Sequence, residues 1–171
     1  TLGLIGFGAI AKNVARRAYG FGMKVLAYDP YVQSVPDEFP HVSLASFEDV
    51  LKHSDFVSVH VPLNESTRNL IDKEQMQIMK KGSFIINTSR GGIVNEEALY
   101  EYLKNGHLSG AGLDVMVKEP PDDSPLIGLD NVTVLPHIGM YSKEAINAVS
   151  VICAKNVVKA LKGQQPDHIV K

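Results

Sequence analysis

At 171 residues, 44% of them hydrophobic and 21% charged, the chain has the make-up of one globular domain with a sizeable core. A formal net charge of −2, without any block of Lys or Arg, argues against nucleic acid or an anionic membrane as partner. The single cysteine excludes an internal disulfide and makes the cytoplasm the expected location, and no apolar run has the length of a membrane span or the pattern of a signal peptide.

In chain order, short apolar runs alternate with stretches of helical period. LGLIG reads as a buried strand, after which Ile10, Val14, Ala15 and Ala18 recur at helical spacing until Gly20 or Gly22 stops the helix. Residues 23–29, MKVLAYD, form a second strand, and Pro30 and Pro36 mark a loop. FEDVLKHS is a short helix with Ser46 as its N-cap. DFVSVHVPL is a strand ended by Pro62, DKEQMQIMKKG a helix closed by Gly82, and SFIINTS a further strand followed by RGG. Residues 95–104 form a helix capped by Asn95 and stopped at Gly106. LSGAGLDVM and NVTVLPH supply the last two strands. Residues 142–162 form a long helix that is apolar on more than one face, which predicts burial against two bodies and a buried Cys153. This alternation predicts an α/β protein, a Rossmann-type doubly wound parallel sheet with helices on both faces. It contains no internal repeat, and the proline-rich KEPPDDSP reads as a loop.

The opening LGLIGFGAIA places Gly6, Gly8 and Ala11 at the spacing G-x-G-x-x-A, after a strand and at the start of a helix. Alone, this pattern is weak, because glycines are common at strand–helix turns. Its βαβ context, with Asp29 closing the second strand, points to a dinucleotide site. Gly6 permits the turn, Gly8 lets a pyrophosphate approach the backbone, and the helix start offers N–H groups and the positive end of a dipole. Asp29 would accept the ribose hydroxyls of NAD and repel the 2′-phosphate of NADP, and no Lys or Arg occurs in residues 30–51 to compensate.

Three further motifs follow in order, NTSRGGIVNEEAL, GAGLDVMVKEPP and LPHIG. Together with GFGAIA and AYDPY, they make the chain resemble the D-2-hydroxyacid dehydrogenase family, nearest its phosphoglycerate dehydrogenase and hydroxypyruvate reductase branches. The resemblance covers nearly the whole chain and implies the cofactor lobe, residues 1–171, of a two-lobed enzyme. The substrate lobe would lie upstream, and the tail at residues 164–171 would resemble the return to that lobe. A chain that begins at Thr1 rather than Met fits a piece of something longer.

The family's catalytic arginine, glutamate and histidine then fall on Arg90, Glu119 and His137. Reduction of a small 2-oxo acid to the 2-hydroxy acid needs a hydride donor, a proton donor and a cation for the carboxylate, and these side chains suit the last two roles. Read without the family, Arg90 could be a surface residue, His137 a cap or core histidine, and Glu119 a solvated loop carboxylate. Positions carried over for the cofactor are Ala9 and Ile10 at the pyrophosphate turn, Val61 and Pro62 after the SVHVP strand, Thr88 and Ser89 before the arginine, Asp114 toward the nicotinamide carboxamide, and Arg90, His137 and Gly139. Three positions depart from the family. Ala9 stands where many members carry an arginine, and Met140 and Tyr141 stand where many carry small residues, reshaping the pocket.

The resemblance also implies a homodimer formed through this lobe. An NAD(H)-sensing corepressor of the same fold is the rival reading. Formate oxidation is disfavoured, because that branch carries a neutral amide where this chain has Glu119. No His or Cys cluster has metal-ligand spacing.

Overall fold

The computed structural model describes residues 1–169, so the last two residues of the expected tail lie outside the described part. The elements are β1 (Leu2–Ile5), α1 (Ala9–Gly20), β2 (Val25–Tyr28), β3 (Val42–Leu44), α2 (Phe47–His53), β4 (Phe56–Val59), α3 (Lys73–Ile78), β5 (Phe84–Asn87), α4 (Glu96–Lys104), β6 (Gly110–Leu113), β7 (Val132–Val134) and α5 (Lys143–Leu161). A short 3-10 turn, Pro125–Gly128, precedes β7. The seven strands form one sheet in the order β3-β2-β1-β4-β5-β6-β7, parallel throughout. The chain divides into two compact units, residues 1–137 and 138–171.

In the first unit, β1 is buried at all four positions, as expected for a central strand of a parallel sheet. Leu2 and Leu4 join a core with Ala11, Ala15 and Ala18 of α1, while Ile5 faces Val50 and Leu51 of α2, Met76 of α3 and Leu99 of α4. Helices thus cover both faces. The buried stripe of α1 consists of alanines one helical turn apart, which lets the helix lie close to the sheet. Ile10, which shares the helical spacing of that stripe, is 68% exposed, one residue into α1. The third strand, β3, was not expected. Its three residues, only one of them buried, carry too short an alternation to be read from sequence.

The expected helix caps are present. The Ser46 hydroxyl accepts from the Asp49 N–H, and Asn95 Oδ1 accepts from Glu97 and Ala98 N–H. Asn95 also donates to Asp72 Oδ1, and Asp72 in turn caps α3.

In the second unit, α5 starts at Ser142, whose hydroxyl accepts from Ala145 N–H. The tail folds onto this helix, with Asp167 N–H donating to Asn156 Oδ1 and its carboxylate paired with Lys159. No residue of α5 is buried, and Cys153 is exposed, contrary to the expectation of burial. Among the described residues, no helix is long and apolar enough to cross a membrane.

Asn95→Ala removes the cap of α4 and the link to the cap of α3 together. The expected cost is about 1–2 kcal/mol, the upper part of the range for a single cap. Urea unfolding checks it, with a midpoint shift at constant slope as the expected result.

Candidate active site

The sheet's ladder runs one residue past several strand ends. Gly6 N–H donates to the Tyr28 carbonyl, His60 N–H to the Ile5 carbonyl and Asp114 N–H to the Asn87 carbonyl. These bonds tie the residues that follow β1, β4 and β6 to the last residues of β2, β1 and β5 along one edge.

Two cavities share His60, Val61 and Pro62 along that edge. One, of about 410 Å³, reaches Gly6, Gly8, Asp29 and Tyr31. The other, of about 490 Å³, reaches Ile10, Thr88, Ser89 and Arg90. The structure therefore brings together most of the expected cofactor positions. Ala9 is the exposed first residue of α1, and Asp114 is buried where β6 ends. Gly139 belongs to the second unit, as do the exposed Met140 and Tyr141.

The residues of the first cavity fit an adenine dinucleotide. Gly6 has φ of +90°, and a Cβ there would lie 2.8 Å from the His60 carbonyl oxygen, so only glycine makes this turn. Gly8 is different, since a Cβ there would meet nothing within 4 Å. That open space leaves room for a ligand to approach the backbone. The start of α1 has no side-chain cap and no acidic residue in its first turn, which leaves its N–H groups to an anion. Asp29 Oδ2 accepts from Phe7 N–H at 2.8 Å and Oδ1 from Tyr31 N–H at 2.9 Å. Both oxygens are fixed in place, and each retains a lone pair for a hydroxyl.

Arg90 sits on a turn built by Asn87, a residue the sequence reading did not single out. Asn87 is 2% exposed; its Nδ2 donates to the Arg90 carbonyl and its Oδ1 accepts from Ser89 N–H. The Ser89 hydroxyl donates to the Val59 carbonyl. The Arg90 side chain is exposed, with one guanidinium N–H on the Ser89 carbonyl.

Glu119 and His137 meet beside a third, smaller cavity of about 190 Å³. His137 Nδ1 lies 2.9 Å from Glu119 Oε2, and Met116 N–H donates to Glu119 Oε1 at 3.1 Å. The bond from His137, then the Met116 N–H and the nearby charge of Arg90 hold the Glu119 carboxyl below its ordinary value. With Nδ1 donating to the carboxylate, Nε2 is the ring nitrogen left to face a ligand. His137 has φ of +54°, the left-handed region that few non-glycine residues adopt, where the chain turns sharply after β7.

Residues 1–139 match the family model described as D-isomer specific 2-hydroxyacid dehydrogenase, NAD binding domain. The chain belongs to this family. It is 43% identical over 171 residues to D-3-phosphoglycerate dehydrogenase of Methanocaldococcus jannaschii, covering 99% of this chain and 33% of that protein. It is 47% identical over 164 residues to hydroxypyruvate reductase of Thermotoga maritima, covering 94% of this chain and 53% of that protein. The structure of D-lactate dehydrogenase with NAD+ from Lactobacillus jensenii superposes with a TM-score of 0.90 at 34% identity, covering 99% of this chain and 55% of that one. The chain thus spans between a third and about half the length of these relatives. NAD is the cofactor of the domain family, and the named relatives are dehydrogenases and reductases, which does not support a corepressor reading.

His60, missed in the sequence reading, lines both parts of the cleft. Its Nε2 lies 2.9 Å from the Ser58 hydroxyl, and burial pushes the imidazole from 6.5 down to about 4. Between these values the unfolded chain takes up a proton that the folded chain refuses. Stability is therefore fully present above pH 6.5 and falls as pH drops toward 4, by about 3 kcal/mol in all. Removing the titration, as in His60→Gln, should flatten that window. Denaturant midpoints at pH 7 and pH 4.5 for both proteins check this.

Proposed function

We propose that the chain is the cofactor lobe of an oxidoreductase that interconverts a small 2-oxo acid and its D-2-hydroxy acid, with a second lobe completing the substrate cleft. The Glu119–His137 pair at 2.9 Å, with the charge of Arg90 in electrostatic reach, is the observation that carries this reading. Bound in the cleft, NAD supplies or accepts the hydride. Arg90 grips the carboxylate or carbonyl oxygen of the substrate through its donor fork, which a lysine lacks. His137 Nε2 gives a proton to the carbonyl oxygen as negative charge grows there, and takes it back in the oxidation. Glu119 holds the ring through Nδ1 and stabilises the imidazolium. Asp114 is read as the partner of the nicotinamide carboxamide. Gly139, Ala9 and the residues of both cavities are read as cofactor contacts. A homodimer formed through this lobe belongs to the same reading, supported by family likeness alone, and residence in the cytoplasm is supported by the single cysteine.

Two measurements test it. By calorimetry, NADH should bind about tenfold or more tightly than NADPH, since Asp29 would face the extra phosphate. Equal affinities would rule out that role for Asp29. In the full-length protein, assayed with 2-oxo acids and NADH, His137→Gln should lower kcat by about 10²–10⁴ with NADH affinity little changed. Glu119→Gln should lower kcat with NADH affinity little changed, because the ring loses the carboxylate that orients it through Nδ1. A His137→Gln protein with unaltered kcat across pH would sink the proton-transfer assignment.

A further inference from the structure

The turn that presents Arg90 and the loop that presents Glu119 come from different βα units, yet they meet at one place. Gly91 lies directly against the loop backbone. A Cβ there would sit 2.1 Å from the Met116 carbonyl oxygen and 2.5 Å from the Val117 nitrogen, so the two segments touch main chain to main chain. Behind this contact stands Glu96, the first residue of α4. Its Oε1 accepts from Val117 N–H at 2.6 Å. The preceding N–H, of Met116, donates to Glu119. Two successive amides of the loop are therefore held by two carboxylates, one from α4 and one from the Glu119–His137 pair.

Glu96 is not needed to start its own helix, because Asn95 already accepts from Glu97 and Ala98 N–H. Its side chain is half-buried whereas the neighbouring Glu97 is exposed. Burial raises the Glu96 carboxyl above its ordinary value, and the Val117 N–H works against that rise. A carboxylate kept partly out of water at a cost, with its bond directed to a neighbouring loop, calls for a role outside α4.

We propose that Glu96 is a positioning residue: by holding the Val117 amide it fixes residues 116–119 against the Gly91 turn and so sets the Glu119–His137 pair relative to Arg90. This inference rests on the reading of those three residues as the groups that handle substrate. Arg90 and His137 must reach one small molecule, and a misplacement of about 1 Å can cost up to about 100-fold in rate.

The test uses Glu96→Ala, Glu96→Gln and Glu96→Asp in the full-length protein, with Glu97→Ala as control. Expected for Glu96→Ala is a fall in kcat/KM for the 2-oxo acid of between about tenfold and 100-fold, with NADH affinity unchanged. The Glu119 carboxyl, followed by carboxylate NMR, should titrate closer to its ordinary value as its bonds to Met116 and His137 slacken. Glu96→Gln keeps an oxygen that can accept from Val117 and should restore both readouts. Glu96→Asp keeps the charge but shortens the reach, and should lose activity even if the alanine variant fails to fold. Glu97→Ala should match wild type. Unchanged Glu119 titration and unchanged kcat/KM in the alanine and aspartate variants would overturn the proposal, as would a glutamine variant no better than alanine. If His137→Gln leaves kcat untouched, the proton-transfer reading falls separately, and the Glu119 titration still decides whether Glu96 positions the loop.

Discussion

All seven strands run the same way, and the site depends on this constraint. In a parallel sheet every strand ends at one edge, and the chain leaves each strand into a loop at that edge before crossing back. Gly6, Asp29, Val61, Arg90, Asp114 and His137 each follow a strand, so residues spread over more than 130 positions of sequence are brought to one rim. The ladder bonds of Gly6, His60 and Asp114, one step past their strands, carry the sheet's regularity into that rim.

The polar groups of the rim are held mainly by backbone. Asn87 uses both ends of its amide to shape the turn before Arg90, and Asp29 spends one lone pair of each oxygen on a main-chain N–H. Buried polar groups bonded in this way cost little to desolvate and hold the geometry that the chemistry requires. The exposed Arg90 side chain is thereby mounted on a hydrogen-bonded turn. The first turn of α1 is the exception, since no side chain of its own caps it, as suits a site meant for phosphate.

Charge is distributed along the rim with the same economy. The carboxylate of Asp29 follows β2, and residues 30–51 carry no Lys or Arg. At the other end, cationic Arg90 and the paired Glu119 and His137 lie close enough to influence one another, as the lowered Glu119 carboxyl records. The pair is open to solvent, with side chains 40–45% exposed, so its electrostatics remain sensitive to whatever covers it.

The sequence by itself determined the sheet class, the caps at Ser46 and Asn95, the glycine turn at residue 6 and the acid at residue 29, because each is a local rule. Period, capping chemistry and the need for positive φ act over a few neighbouring residues. The same pattern-reading missed β3, whose three residues hold their place by pairing with β2 rather than by any strong alternation. It expected Cys153 to be buried, because an apolar residue at helical spacing does not say which side of its helix meets a partner. Asn87, His60 and Glu96 stayed hidden for a related reason. Their identities are ordinary, and their importance comes from contacts made in the folded first unit: Asn87 around a turn, His60 through burial beside β1, Glu96 to an amide 21 residues away. Only the tertiary structure could decide these, since desolvation and hydrogen-bond partners depend on which distant backbone the folded chain brings within 3 Å.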